Sequence, residues 1–97
     1  MSDPGRPATQ AGSKVVAVVV TYNRPALLKL SLDALRSQTI RPHNIVVVDN
    51  ASDDQTVALL RGDHSLTVIR MPHNTGGSGG FAAGVERAMQ MNPDWVW

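Results

Sequence analysis

Three polar clusters in this sequence contain side chains that could bind a small anionic ligand. The clusters are residues 21–24 (Thr-Tyr-Asn-Arg), residues 49–52 (Asp-Asn-Ala-Ser) and residues 73–77 (His-Asn-Thr-Gly-Gly). The ring of Tyr22 could stack on a base, and the guanidinium of Arg24 could neutralise a phosphate. The carboxylate of Asp49 could accept a hydrogen bond from the amide edge of a base, such as the N3–H of a pyrimidine. These residue types favour a nucleotide as the ligand.

Each cluster also has a purely structural interpretation. Asp49 could cap the following helix or close a turn, residues 21–24 could be an ordinary loop, and the glycines that follow residue 75 could form a flexible turn. Ligand binding is favoured by the position of the clusters, because each stands at the end of an apolar run, at residues 14–20, 45–48 and 66–71.

Apolar runs without alternation predict strands that are buried on both faces, as in parallel sheets. Right-handed crossovers would make the strands parallel and place helices on both faces of the sheet. The predicted fold class is therefore α/β. The carboxyl ends of parallel strands meet at one edge, so the three clusters should form a single ligand crevice.

Helical periodicity separates the strands. Leu28, Leu32 and Leu35 recur at i, i+4 and i+7 and predict the first helix. Ser52 and Gln55 form a predicted capping box at the start of the second helix, and the helix dipole favours the two aspartates between them.

A glycine-rich segment precedes the third predicted helix. Residues 74–80 are predicted to be a loop whose backbone approaches the ligand closely, ahead of a helix N-terminus that offers N–H groups to an anion. This helix is predicted to bury Phe81, Val85, Ala88 and Met89, which recur at i, i+4, i+7 and i+8.

Two other kinds of site fit the sequence poorly. Residues 77–82 satisfy the dinucleotide fingerprint G-x-G-x-x-A, but that fingerprint belongs to the first strand–helix turn, and here it follows the third strand. His43, His64 and His73 lack the spacing of a metal pair on one helix. We therefore predict neither a nicotinamide site nor a histidine metal site.

Composition narrows the class of protein. The chain has 97 residues, of which 42% are apolar and 18% charged, as in an ordinary globular domain. A net charge of +1 with scattered basic residues argues against nucleic acid as a partner. The absence of cysteine excludes disulfides and thiolate metal sites, and suits a reducing compartment.

The two ends of the chain differ from its middle. Residues 1–13 are rich in Pro, Gly, Ser and Ala and predict a flexible tail, which leaves residues 14–97 as the domain. Residues 95–97 (Trp-Val-Trp) predict the start of a fourth strand. We expect a sheet truncated at that point, with both indoles lacking a core and with marginal stability for the isolated chain.

The motifs resemble a known family. Val-Val-Val-Thr-Tyr-Asn-Arg at 18–24, Val-Val-Val-Asp-Asn-Ala-Ser-Asp-Asp at 46–54 and Asn-Thr-Gly-Gly-Ser-Gly-Gly-Phe at 74–81 are similar, in order and spacing, to the N-terminal nucleotide-binding half of inverting family-2 glycosyltransferases of GT-A fold. The glycine-rich version with Phe81 looks most like the bacterial galactofuranosyl- and rhamnosyltransferases of cell-wall and surface polysaccharide synthesis.

The resemblance implies a set of residues that bind a nucleotide-sugar, expected to be UDP-linked and in particular UDP-galactofuranose. In it Thr21 and Tyr22 contact the nucleobase, Asp49 binds the uracil edge or the ribose, Arg24 lies near the phosphates, and the 74–80 loop lines the pocket. Asn50 stands where many members have a second aspartate, which leaves open whether residue 49 or 50 contacts the base. The implied set is Thr21, Tyr22, Asn23, Arg24, Asp49, Asn50, Ser52, Asn74, Gly76, Gly77 and Gly80.

The resemblance also implies a metal site, a catalytic base and an acceptor for the full-length enzyme. Members of the family place an Asp-x-Asp site for a divalent metal, Mg²⁺ or Mn²⁺, and the catalytic base after a segment resembling residues 94–97. We therefore expect the 97-residue chain to be inactive alone. The implied acceptor of the full-length enzyme is a glycan or a polyprenyl-diphosphate-linked glycan, which suits a cytoplasmic protein associated peripherally with the inner face of the plasma membrane.

Two other functions remain open at this stage. The chain could be a non-catalytic nucleotide-binding module of the same fold. It could also be an interaction domain that associates through its exposed sheet edge, because an uncovered strand is a template for pairing.

Overall fold

The structure, a computed structural model, describes residues 13–39, 41–52 and 54–97. The predicted tail lies outside the described residues except for Ser13, and so does Asp53 of the predicted capping box. The elements in chain order are β1 (Val15–Thr21), α1 (Pro25–Arg36), β2 (Asn44–Asp49), α2 (Asp54–Arg61), β3 (Leu66–Arg70), α3 (Gly76–Met89) and β4 (Trp95–Val96).

The described strands form one parallel sheet in the order β3-β2-β1-β4. Helices α1 and α2 pack on one face, where Leu28, Leu32 and Leu60 contact Ala17 and Val47. Helix α3 packs on the other face. The predicted α/β class, the parallel strands and the helices on both faces are confirmed.

Strand β2 lies between two neighbours and carries much of the core. Val46, Val47 and Val48 have no exposed surface, so both faces of this strand are buried as the apolar run predicted. The pattern of α1 is also confirmed, since Leu28 and Leu32 are buried and Leu35 packs against the same cluster.

The start and the buried face of α3 differ from the prediction. The helix begins at Gly76, so most of the predicted 74–80 loop is helical. Its buried residues are Gly80, Gly84 and Ala88, whereas the side chains predicted to be buried at positions 81 and 89 are 51% and 57% exposed. The helix backbone lies against the valines of β1 and β2, where only very small side chains fit. The prediction is therefore confirmed for Ala88, which is buried, and wrong for Phe81 and Met89, because the packed face is centred on the glycines.

The C-terminal residues are better packed than predicted. Trp95 and Val96 pair with Val15 and Val16 of β1. Trp97 packs against the apolar cluster beneath α1 and exchanges backbone hydrogen bonds with Val16 and Val18. The prediction that both indoles lack a core is wrong for Trp97, because β4 adds it to the sheet, while Trp95 remains 55% exposed.

A polar cluster joins the end of α1 to the turn between α2 and β3. The Arg36 guanidinium is paired with the Asp63 carboxylate and donates to Ser65 Oγ at 2.9 Å. The backbone N–H of Ser65 donates to Asp63 Oδ1 at 3.0 Å, and its hydroxyl contacts the same oxygen. Hydrogen bonds from Ser65, and then from Arg36, lower the pKa of Asp63 below its ordinary value of 3.8.

This cluster predicts a pH-dependent contribution to stability. A carboxyl group whose pKa is lower in the folded state stabilises the fold above its unfolded pKa, and the contribution is lost as the pH falls through the folded pKa. We expect Asp63→Asn to lower the free energy of unfolding by about 0.5–1 kcal/mol at neutral pH. The deficit should shrink below about pH 4, near the unfolded pKa of a carboxyl group.

Urea denaturation at neutral and acidic pH measures this difference. Asp33→Asn is the matched control, because Asp33 forms an exposed pair with Lys29 one turn away on α1. A deficit for Asp63→Asn that is the same at both pH values would contradict the role assigned to its ionised form.

Candidate functional site

A crevice of about 350 Å³ opens at the carboxyl edge of the sheet, between the segment that follows β1 and the start of α3. Polar and glycine positions from three separate parts of the chain line it: Thr21, Tyr22, Arg24, Ser31, Asn50, Asn74, Gly76 and Gly77. All of these except Ser31 of α1 belong to the predicted set. Its apolar walls include Val20, Leu27 and Leu28.

The segment after β1 forms one wall of the crevice. Asn23 has a positive φ of 50°, and its backbone N–H donates to Ser52 Oγ at 2.9 Å. This bond ties the wall to the segment that follows β2. The Tyr22 side chain is 45% exposed, which leaves its ring accessible to a ligand. Arg24 immediately precedes α1, so its cationic side chain lies at the same edge.

Asn50 joins the end of β2 to the start of α3. Its side chain is buried, and its Oδ1 accepts hydrogen bonds from the backbone N–H of Thr75 at 2.9 Å and from the Thr75 hydroxyl at 3.0 Å. Its Nδ2 donates to the Gly76 carbonyl at 3.0 Å. This amide therefore fixes the position at which α3 begins relative to β2.

Asp49 is buried but does not line the crevice. Its Oδ1 accepts the backbone N–H of Ser52 at 2.9 Å, and its Oδ2 is paired with Arg70 Nη1 at 3.1 Å. The carboxylate lines a separate depression of about 170 Å³ together with Arg61 and Arg70. Its observed contacts close a turn, which is the structural interpretation, and a base contact by Asp49 stays a prediction.

The other members of the predicted set support the crevice from outside it. Asn23 and Ser52 are joined by the hydrogen bond described above. Gly80 lies behind the wall, where a Cβ would approach Val20 Cγ1 to 2.9 Å. Among the lining residues themselves, Gly76 has a φ of +75°, a conformation that favours glycine, and its N–H donates to Asn74 Oδ1 at 2.8 Å.

Arg70 was not predicted as part of the site. It is the last residue of β3 and stands in register with Asp49 of β2. The sequence did contain a signal for Arg70: an acidic residue and a basic residue stand at the ends of two consecutive predicted strands. The pairing becomes informative only when β2 and β3 are known to be neighbours.

The crevice suits an anion beside a flat ring. The positive end of the α3 dipole lies at Gly76 and Gly77, and Arg24 adds a cation. In the part of the chain that the structure describes, no group of three or more His, Cys, Asp or Glu side chains could hold a metal ion. The described helices include none that is long and apolar enough to cross a bilayer.

Comparison with known proteins identifies the family of this chain. Residues 16–97 match the family described as Glycosyl transferase family 2. The chain is 44% identical over 84 residues to the galactofuranosyltransferase GlfT1 of Mycolicibacterium smegmatis, covering 86% of this chain and 28% of that protein. It is 31% identical over 67 residues to the O-antigen chain rhamnosyltransferase RfbN of Salmonella typhimurium, covering 69% of this chain and 21% of that one.

A solved structure has the same fold. The mannosyltransferase PcManGT from Pyrobaculum calidifontis, in complex with GDP-Man and Mn²⁺, superposes with a TM-score of 0.68 at 26% sequence identity. The match covers 84% of this chain and 26% of that one. The chain thus spans 28% of the length of GlfT1, 21% of RfbN and 26% of PcManGT.

Proposed function

Because the chain belongs to glycosyltransferase family 2, we propose that its crevice binds the nucleotide part of a nucleotide-sugar donor. One observation carries the proposal. Residues that follow β1, β2 and β3, far apart in sequence, line a single crevice at the carboxyl edge of a parallel sheet. Ligands of open α/β sheets bind at this edge.

The chemistry of the lining assigns a part of the nucleotide to each wall. Tyr22 offers a ring on which a base can stack. Arg24 and the start of α3 favour the diphosphate, since both present positive charge or N–H donors to an anion. This chain's residues therefore bind and orient the donor.

Asn50 is the better placed of the two candidates for the edge of the base. Its amide lines the crevice, whereas the Asp49 carboxylate faces the neighbouring depression. Within the described residues, Asn50 Nδ2 uses one of its two hydrogens on Gly76, and the other could donate to a carbonyl oxygen of the base.

The proposed donor is UDP-linked, with galactofuranose as the sugar. This choice is supported by the similarity to GlfT1, which is described as a galactofuranosyltransferase. The structural neighbour binds GDP-Man, so GDP is the competing nucleotide.

The whole protein is proposed to be an inverting glycosyltransferase that transfers this sugar to a glycan or a polyprenyl-diphosphate-linked acceptor at the inner face of the plasma membrane. A divalent cation, Mg²⁺ or Mn²⁺, would neutralise the charge of the leaving diphosphate. The described residues do not fit such a cation, as no group of metal-ligating side chains is present among them. Its ligands, like the catalytic base, are assigned outside the described residues.

Nucleotide titration of the ¹⁵N-labelled chain tests the proposal. UDP is expected to shift the amide signals of the crevice residues and to bind more tightly than GDP. Tyr22→Ala should weaken UDP binding about tenfold, because stacking of a base on an aromatic ring contributes about 1–3 kcal/mol. Arg24→Met should weaken it by a similar factor through the loss of a charge-assisted hydrogen bond.

Arg41→Met is the matched control for Arg24→Met. Arg41 precedes β2 and therefore lies at the opposite edge of the sheet, so its removal should leave UDP affinity unchanged. Shifts scattered away from the crevice, or equal losses from the two arginine variants, would refute the proposed site. If GDP binds more tightly than UDP, the proposed nucleotide is wrong, but the proposed binding site still stands.

A further inference from the structure

Arg70 binds both ends of the short turn formed by residues 49–52. Its Nη1 is paired with Asp49 Oδ2 at 3.1 Å, and its Nη2 donates to the Ser52 carbonyl at 3.1 Å. Inside the turn, the Ser52 N–H donates to Asp49 Oδ1. Ala51 has a φ of +66°, which costs energy for a residue with a Cβ and persists only where surrounding contacts enforce it.

The 49–52 turn is attached to both walls of the crevice. On one side, Ser52 Oγ accepts the N–H of Asn23, the neighbour of Tyr22. On the other side, the Asn50 amide holds Thr75 and Gly76 at the start of α3. A displacement of the turn would therefore move the two walls relative to each other.

The turn contains a buried charge that requires a partner. Asp49 is 1% exposed, and a buried carboxylate is costly unless it is paired and hydrogen-bonded. Arg70 supplies the paired cation from β3, with its own side chain half exposed. Arg61 lines the same depression from α2 but forms no ion pair with Asp49.

We infer that Arg70 is a positioning residue for the nucleotide crevice: from outside the crevice, its guanidinium holds the 49–52 turn, and through that turn the spacing of the two walls. The inference rests on the proposed function of the crevice. It predicts that loss of Arg70 alters nucleotide binding although Arg70 does not line the crevice.

Amide hydrogen exchange of the chain without nucleotide, followed by titration with UDP, tests the inference. Arg70→Met should make the amides of Asn23 and Thr75 exchange about tenfold faster and weaken UDP binding about tenfold, as expected for the loss of hydrogen bonds to a charged group. The amides of Val46 and Val47 in the centre of the sheet should be unchanged, whereas a uniform loss of stability would accelerate them as well.

Three further variants sharpen the experiment. Arg61→Met is the matched control and should behave as wild type. Arg70→Lys keeps the charge but cannot bond Asp49 and Ser52 through one planar fork, so its effect should be intermediate. Asp49→Asn combined with Arg70→Met removes the unpaired charge but restores neither bond from Arg70 to the turn, so exchange at Asn23 and Thr75 should remain faster than in wild type.

Each outcome decides the inference. Equal exchange and equal UDP affinity in Arg70→Met and Arg61→Met would overturn it. If Arg70→Met does not fold, the double variant takes its place: fast exchange at Asn23 and Thr75 with protected Val46 and Val47 amides supports the inference, and protection of all four amides or a failure to fold overturns it. If wild type binds neither UDP nor GDP, the proposed function is wrong, and the exchange data still show whether Arg70 holds the turn.

Discussion

Gly84→Ala is expected to lower the free energy of unfolding by about 2–3 kcal/mol, towards the upper end of the range for an overpacked core. A Cβ at this position would lie 2.4 Å from Val18 Cγ1 and 2.9 Å from Val48 Cγ2. Both neighbours are β-branched residues of the sheet, whose methyl groups have restricted rotamers and cannot move aside easily. The helix would have to move away from the sheet. The gain in helix propensity, about 1 kcal/mol, is too small to compensate.

Gly77→Ala is the matched control for this prediction. Gly77 belongs to the same helix, and a Cβ built there meets nothing within 4 Å. Its free energy of unfolding should be unchanged or higher by up to about 1 kcal/mol. Urea denaturation of both variants provides the comparison. Equal stability of the two would show that α3 does not pack on the sheet through its glycines.

Asn50→Ala is expected to lower both the free energy of unfolding and the affinity for UDP. The substitution leaves the Thr75 N–H and the Gly76 carbonyl without their partner. These hydrogen bonds are partly buried, and each contributes about 0.5–1.5 kcal/mol net, so we expect a decrease of about 1–3 kcal/mol in the free energy of unfolding. Because these bonds also place α3 against the crevice, UDP affinity should fall at least tenfold.

Asn50→Asp separates the two kinds of hydrogen bond. A carboxylate can still accept from Thr75, but it presents an oxygen instead of a donor to the Gly76 carbonyl. Denaturation and UDP titration should place this variant between wild type and Asn50→Ala. Asn74→Ala is the control for stability, because Asn74 is exposed and accepts a hydrogen bond from Gly76 N–H. A loss of stability no larger than that of Asn74→Ala would show that the Asn50 amide does not clamp the helix.

The order of strands and helices, and the edge at which the crevice forms, followed from local patterns. The apolar runs at residues 15–20 and 45–48 could be interpreted as buried parallel strands because both faces of such strands need apolar side chains. Right-handed crossovers then placed the polar segments that follow the strands at one edge. Both arguments depend only on neighbouring residues and on the handedness of the chain.

The assignment of side chains to the crevice depended on packing between distant elements. Asp49 and Asn50 are adjacent in sequence, yet only Asn50 lines the crevice, and Asp49 is paired with Arg70. Successive residues along a strand point in opposite directions, so the pairing of β2 with its neighbours determines which of the two faces the ligand.

Local sequence patterns also could not predict how α3 and the C-terminal residues pack. Gly80 and Gly84 face the sheet, and Phe81 is left exposed, because the valines of β1 and β2 occupy the space that larger side chains would need. Trp97 finds a core only because β4 pairs with β1. Periodicity identifies apolar residues at helical spacing, but the distance between a helix and the sheet beneath it is set by residues that are remote in sequence.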